Sequence, residues 1–169
     1  MREGGFPAPG EAVDEGGSRA TAGLRLPRPT PRTIVTSPMA AAQQTADLLG
    51  VAAQVEPALR DIDHGDWAGR SFADIHTRDP GAFARWLADP APGAPGGETM
   101  AMLLSRVGAW MYGIDGDVLA ITHPMVIRAA IGVALDLPQQ ALLRIDIAPL
   151  SNVTLSFNHG WRLQALRPL

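Results

Sequence analysis

His123 stands at a junction where its ring could contact an anion. It follows Val118–Ile121, a short apolar run of the length of a buried strand, and precedes Pro124, which suits the first position of a helix. In a sheet flanked by helices, ligands bind at the carboxyl ends of strands, beside helix N-termini whose N–H groups favour anions. The pattern therefore indicates either a phosphate contact or a turn histidine that only caps its helix.

Residues 59–69 (LRDIDHGDWAG) form a second segment with unusual chemistry. Its ionisable side chains are crowded into the middle of the segment: Asp61, Asp63, His64 and Asp66. Either this loop binds something, or its aspartates cap turns while Trp67 anchors it to the core. Without a pair of histidine ligands a zinc site is not expected, and we predict no metal. His64, His76 and His159 are interpreted as loop or surface histidines.

Two strand-turn-helix units would position these residues. Thr33–Thr36 (TIVT) is a β-branched run typical of a buried strand, and Ser37 and Pro38 should open a helix that ends before Gly50. Val118–Ile121 and the segment after His123 repeat this pattern. We therefore predict that the two strands are neighbours and that Ser37 and His123 converge at their carboxyl ends.

The rest of the chain alternates between helical and extended patterns. Residues 1–17 are rich in Gly, Pro and acid, which predicts an irregular arm that buries little. Helices are expected at residues 18–24, 71–75, 80–87, 99–112 and 138–143, and a terminal hairpin at 153–157 and 161–166. The core candidates of the second and third helices are Phe72, Ile75, Phe83, Trp86 and Leu87. This alternation predicts an α/β sandwich with a largely parallel central sheet and an antiparallel edge.

Composition limits the possible classes of protein. A chain of 169 residues, 46% of them hydrophobic, suits one domain over residues 1–169. The formal charge is −3 and the scattered basic residues are all arginine, so no nucleic-acid surface is expected. There is no cysteine, no long apolar run and no basic, apolar start. We therefore expect a cytoplasmic protein with no membrane contact.

Five segments, in order, resemble the histidine phosphatase superfamily, the phosphoglycerate-mutase-like branch that includes broad-specificity and α-ribazole phosphatases. Residues 36–50 (TSPMAAAQQTADLLG) resemble the motif SSPLxRAxQTAxxLG, and residues 59–69 resemble LxEixFGxWEG. Residues 96–104 (GGETMAMLL) are similar to GGES and its helix, and 121–127 (ITHPMVI) to VTHGGVI. Residues 13–24 (VDEGGSRATAGL) are similar to LTExGRxQAxxL. Together these segments are spread over almost the whole chain.

The resemblance implies a fold and a set of site residues. The expected fold is a three-layer α/β/α sandwich with a mostly parallel sheet, lacking the family's first strand. The implied activity is phosphomonoester hydrolysis or phosphoglycerate mutation through a phosphohistidine, with a small phosphorylated molecule as ligand and no cofactor. His123 matches the second pocket histidine and Asp61 the proton-donating glutamate, while Ser37 and Glu98 would complete the phosphate pocket.

The sequence also departs from the family at positions that carry the chemistry. The family's nucleophile is the histidine of an Arg-His-Gly motif, which is absent from these 169 residues, and residues 1–12 offer no apolar strand to present it. Ala41 stands where the family has a phosphate-clamping arginine, and Pro124 where it has glycine. Phosphoryl transfer depends on positioning and charge stabilisation, so these departures predict a weakened site.

Three interpretations follow. The favoured one is a pseudoenzyme whose degenerate pocket binds a phosphate ester or a partner with little or no turnover. The second is a phosphatase truncated before its nucleophile strand. The third is a divergent enzyme that uses His123 or His64 as nucleophile, or an interaction protein with a vestigial site. Since the family's first strand lies in mid-sheet, its loss would leave strand edges uncovered, and a homodimer is the expected remedy.

Overall fold

The computed structural model describes residues 4–26 and 29–168, so residues 1–3 of the predicted arm lie outside the described residues. The described part of the chain contains both helices and strands. In chain order they are α1 Glu15–Ala22, β1 Thr33–Thr36, α2 Ala40–Leu48, β2 Gln54–Val55, α3 Phe72–Arg78, α4 Pro80–Ala88, α5 Met100–Tyr112, β3 Val118–Ile121, α6 Pro124–Leu135, α7 Gln139–Leu142, β4 Ser151–Phe157 and β5 Trp161–Pro168. Short 3₁₀ turns at Pro57–Leu59 and Gly65–Trp67 lie between β2 and α3.

The central sheet is parallel, with the strand order β2-β1-β3. Strand β1 pairs with β3 from Thr33 opposite Val118 to Thr36 opposite Ile121, and with β2 at its carboxyl end. The predicted adjacency of the two strands is therefore confirmed. Parallel register places the carboxyl ends of β1 and β3 side by side, which is where Ser37 and His123 follow.

Alternation along β1 sends side chains to two helical layers. Val35 belongs to a core cluster built mainly from buried residues of α5 and α6, whereas Ile34 packs against a cluster that contains Ala42 and Ala46 of α2. Because successive strand residues face opposite sides of a sheet, α5 and α6 cover one face and α2 the other. This arrangement confirms the predicted α/β/α sandwich.

The terminal hairpin forms a sheet of its own. Strands β4 and β5 pair antiparallel, with an irregularity in register between Thr154 and Leu155. Within the described part of the chain, β3 pairs only with β1, and β4 only with β5. The expected antiparallel edge is therefore a separate two-stranded sheet, which packs against α6.

The N-terminal segment is more ordered and more buried than its composition predicts. Helix α1 begins at Glu15, where the Asp14 side chain accepts a hydrogen bond from the Gly17 N–H, so the predicted irregular arm ends earlier than expected. Phe6 is only 7% exposed and its ring contacts Trp67, Phe72 and Trp86. Sequence alone could not show that one aromatic in a Gly-Pro segment completes a cluster formed by α3, α4 and the preceding loop.

Two further expectations are corrected. Helix α2 begins at Ala40, and Met39 rather than Ser37 occupies its capping position, because the backbone is still extended at Met39. Leu87 was expected in the core but is 62% exposed, whereas Ile75 and Phe83 are buried as predicted.

Among the described residues, no helix is long and apolar enough to cross a membrane.

Candidate functional site

Ser37 and His123 meet where β1 and β3 end. The Ser37 N–H donates to the carbonyl of Ile121 (2.9 Å), which continues the sheet pairing by one residue and fixes the serine beside the β3-α6 turn. The Ser37 Oγ then lies 2.8 Å from Nε2 of His123. His123 occupies the capping position of α6 but its side chain makes no capping hydrogen bond. The predicted convergence is confirmed, and the capping interpretation of His123 is wrong.

Asp61 approaches the other side of the same imidazole. Its Oδ2 lies 3.9 Å from Nδ1 of His123, and its Oδ1 accepts a hydrogen bond from the Ile62 N–H (2.9 Å). The hydroxyl of Thr122 donates to the carbonyl of Leu59 (2.8 Å), which ties this loop to the end of β3. Three predicted site residues from separate parts of the chain are thus brought together around one ring.

Burial controls the charge of this ring. Desolvation lowers the pKa of His123 below the ordinary value of a histidine, and the nearby Asp61 carboxylate opposes this shift by favouring the charged form. The side chains of His123 and Asp61 remain 12% and 11% exposed, so solvent reaches both. The imidazole of His123 is therefore neutral at neutral pH.

The arrangement resembles a serine-histidine-aspartate relay in its contacts, but it cannot act as one in this conformation. A nucleophilic serine must reach the substrate, and Ser37 is 0% exposed. Its Oγ accepts a hydrogen bond from the Met39 N–H (3.2 Å) and contacts the ring of His123. The groups that an external ligand can touch are the imidazole and the carboxylate, which suit acid-base chemistry or anion contact.

Glu98 lies apart from this trio in its contacts. Both of its carboxylate oxygens bind Arg106, at 2.9 Å from Nε and 2.7 Å from Nη2, and Arg60 Nη2 is 3.6 Å from Oε1. No contact described for Glu98 reaches Ser37 or His123. Glu98 is 4% exposed and anchors the loop before α5, and its expected place in the phosphate pocket stays a prediction.

Arg106 is a residue that sequence reasoning missed. Its Nη1 donates to the carbonyls of Ala58 (2.6 Å) and Arg60 (3.0 Å), and its other nitrogens hold Glu98. It thereby fixes the backbone immediately before Asp61. The signal in the sequence was that Arg106 is the only charged residue of α5, an otherwise apolar helix.

Asp63 and Asp66 stabilise the conformation of the 59–69 loop. Asp63 Oδ1 accepts the Gly65 N–H (2.9 Å), the Asp66 N–H donates to the carbonyl of Pro95 (2.9 Å), and Trp67 is buried. The His64 ring lies 4.6 Å from that of Phe6, and its burial lowers its pKa against the opposing charges of Asp61 and Asp63. In the part of the chain that the structure describes, no cluster of residues could hold a metal ion.

Comparison with known proteins identifies relatives of this chain. The bifunctional protein Rv2228c of Mycobacterium tuberculosis is 34% identical over 143 residues, which cover 78% of this chain and 39% of that protein. An uncharacterised protein of Mycobacterium bovis matches with the same identity and coverage. The chain therefore spans about two fifths of the length of the curated relatives it matches.

Solved structures share the fold. A mycobacterial glucosyl-3-phosphoglycerate phosphatase in complex with VO3 superposes with a TM-score of 0.80 at 25% identity, over 98% of this chain and 92% of the other. The α-ribazole phosphatase of Shigella flexneri gives 0.80 at 18% identity, over 96% and 88%. Phosphoglycerate mutase of Thermus thermophilus gives 0.75 at 24%, over 99% and 91%.

The family follows from the sequence match over nearly all of the described fold. A sequence profile of the histidine phosphatase superfamily, branch 1, matches residues 14–167, which include β1 to β4, all but the last residue of β5, and Ser37, Asp61 and His123. The order of the resembling segments, the parallel sheet and the structural neighbours agree with this match. The chain belongs to the histidine phosphatase superfamily, branch 1.

Proposed function

We propose that this domain binds a phosphate ester at the carboxyl ends of β1 and β3, with little or no turnover by the residues present. The observation that carries the proposal is that Ser37 and Asp61 both contact the partly exposed imidazole of His123. The N-terminus of α6 begins at the next residue, Pro124, and helix N-termini favour anions. Relatives of the same fold include phosphatases and a phosphoglycerate mutase.

Two absences support weak turnover. No Arg-His-Gly motif is present in the 169 residues, and Ala41 provides no guanidinium for the equatorial oxygens of a phosphoryl group. In other enzymes, removal of a nucleophile that acts within a catalytic unit costs about 10⁶-fold in kcat. His123 is a poor replacement because Nε2 already faces a buried hydroxyl and Pro124 stiffens the turn that would have to re-aim it.

The test combines turnover with binding. Purified chain should hydrolyse p-nitrophenyl phosphate or phosphoglycerate barely above background and form no acid-labile phosphoenzyme, while inorganic phosphate shifts the NMR signals of His123. The His123→Ala variant should have the same near-zero rate and bind phosphate more weakly. Robust turnover that this substitution abolishes would contradict the proposal and make His123 the nucleophile. If phosphate left the signals of His123 unchanged, the pocket would be vestigial and an interaction protein favoured.

A second candidate function rests on the division between the two sheets. Strand β3 pairs on one edge only among the described residues, and the β4-β5 hairpin forms a separate sheet. Unpaired strand edges are normally covered, so this division favours a phosphomonoester phosphatase whose nucleophile strand is supplied by sequence outside these 169 residues. Ala41 argues against it, since no added strand restores an arginine at that position.

The two candidates can be separated at the gene. Reading the nucleotides upstream of Met1 for an apolar strand that ends in Arg-His-Gly tests the second candidate directly, and any longer chain found should form a phosphoenzyme. An upstream sequence without such a strand would exclude it. We also propose that the 169-residue chain covers its free edges by forming a homodimer, which sedimentation velocity can test. A monodisperse monomer would contradict the homodimer.

A further inference from the structure

One ring nitrogen of His123 is already occupied by a buried hydroxyl. Ser37 Oγ lies 2.8 Å from Nε2, and Ser37 is fully buried. The same Oγ accepts a hydrogen bond from the backbone N–H of Met39 (3.2 Å), a group that can only donate. The hydroxyl proton of Ser37 is therefore available for Nε2, which can accept it only if this nitrogen carries no proton.

The other ring nitrogen faces a carboxylate. Nδ1 of His123 lies 3.9 Å from Oδ2 of Asp61, so a proton on Nδ1 is favoured electrostatically and a lone pair there is not. The two neighbours thus favour one neutral tautomer, with the proton on Nδ1 and the lone pair on Nε2. The lowered pKa of His123 agrees with a neutral ring.

This neutral tautomer is poorly suited to an anion. The neutral ring offers no positive charge to a phosphate dianion, and Asp61 beside it is negative. A second ring proton would make the imidazole a cation at the N-terminus of α6, where an anion is favoured. The Ser37 hydroxyl would then have to accept from the ring N–H, and its own proton would lose Nε2 as its acceptor.

We propose that binding of a phosphate-like dianion is coupled to uptake of one proton from solvent by Nε2 of His123, and that Ser37 is the positioning residue that resists this uptake. The inference rests on the proposed function and adds how the same site is regulated by pH. Binding should strengthen as the pH falls. Replacing Ser37 should strengthen binding near neutral pH, because it removes the donor that stabilises the neutral ring.

Few other charges face this ring. Strands β1 and β3 carry no ionisable side chain, and the first turns of α2 and α6 carry none. In the loop before α3, Asp61 is the charged neighbour of His123, and His64 shares the field of that same carboxylate. Among the described residues, His64 is therefore a second group near Asp61 that titrates in the same range, and it requires its own control.

The experiment uses sulfate, which stays a dianion throughout the titration, so that the charge of the probe is constant. Isothermal titration calorimetry between pH 5.5 and 8, in buffers with different ionisation enthalpies, gives the number of protons taken up per sulfate. We expect uptake to approach one proton well above the pKa of His123, with Kd rising up to tenfold per pH unit there. Ring ¹⁵N shifts of His123 should report the Nδ1–H tautomer without sulfate.

Matched variants assign the proton. His123→Asn should abolish the uptake and make the remaining binding independent of pH, whereas His64→Asn should retain the uptake. Ser37→Ala should lower Kd several-fold at pH 7.5 and raise the pH at which His123 titrates. Thr45→Ala, which removes a hydroxyl of α2 that donates to the carbonyl of Ala41 (2.7 Å), should change neither. Circular dichroism checks the fold of each variant, and the wild-type proton count and tautomer do not depend on any variant.

The outcomes separate the two proposals. Three results would overturn the coupling and leave the proposed function standing. They are sulfate binding without proton uptake, proton uptake that survives His123→Asn, and a ring protonated on Nε2 without ligand. No binding of sulfate or inorganic phosphate at any pH would contradict the proposed function itself, and the coupling with it.

Discussion

Arg106 shows how a single charged side chain supports the site from a distance. It pairs with Glu98 at 2.7 Å and holds the carbonyls of Ala58 and Arg60, so it joins α5 to the loop that presents Asp61. The side chains of Arg106 and Glu98 are only 16% and 3% exposed. Loss of Arg106 would remove the nearest positive partner of the buried Glu98 carboxylate and leave Arg60 at 3.6 Å, and the penalty for a poorly compensated buried charge exceeds the net contribution of the pair.

Arg106→Met should therefore lower the free energy of unfolding by about 3 to 5 kcal/mol, measured by urea denaturation. Arg19→Met is the matched control, because Arg19 pairs with Glu15 at 4.0 Å on the surface of α1, with both side chains largely exposed. That change should stay within about 0.5 kcal/mol of wild type. Equal effects of the two substitutions would show that the Arg106 network does not stabilise the fold.

At the scale of elements, the loop before α3 and the loop before α5 interlock. The Glu98 N–H donates to the carbonyl of Asp63 (2.8 Å), and the Asp66 N–H to that of Pro95 (2.9 Å). Gly65 sits between them with φ of +49°, and a Cβ at this position would run into the backbone of residues 95–97. The close approach of the two loops depends on glycine at this position.

Gly65→Ala should destabilise the protein by about 2 to 4 kcal/mol and weaken anion binding, since the displaced loop also carries Asp61. Gly50→Ala is the control: Gly50 has a similar positive φ of +69°, but no atom lies within 4 Å of an added Cβ. It should cost about 1 kcal/mol. Thermal unfolding followed by circular dichroism measures both, and a cost at Gly65 no larger than at Gly50 would contradict the interlocking.

At the scale of the whole molecule, two histidines link global stability to pH. Burial lowers the pKa of both His64 and His123 in the folded protein, whereas an unfolded histidine titrates near its ordinary value of about 6.5. Between the folded and unfolded pKa values, the unfolded chain binds more protons. Protonation then favours unfolding, so these groups destabilise the protein as the pH falls below about 6.5 and have no such effect above it.

The free energy of unfolding should therefore decrease between pH 6.5 and 5, by at most about 1.4 kcal/mol per pH unit for each histidine. Urea denaturation at several pH values measures this slope. The double variant His64→Asn/His123→Asn should flatten it, while His159→Asn, at the exposed hairpin turn, should leave it unchanged. A slope that persists in the double variant would assign the acid response to other groups.

Local patterns were enough to predict most of the architecture. Local patterns mark three of the elements: the β-branched run Thr33–Thr36, the apolar run before His123 and the apolar stripe of α5. Strands β1 and β3 form with the predicted bounds. Hydrophobic period and turn residues act over a few positions, so sequence reveals them. The family resemblance, now confirmed, added the order of these units.

Only the tertiary structure determined the partners of the polar side chains. The sequence predicted that Ser37 opens a helix and lies near His123, but not that its Oγ contacts Nε2 of that ring, 86 positions away. It also did not predict that Glu98 binds Arg106, or that Phe6, in a segment expected to bury little, completes an aromatic cluster. A serine or glutamate satisfies its hydrogen bonds with whichever group the packed elements place within about 3 Å. Sequence spacing does not encode that distance, because it depends on how the sheet and helices pack.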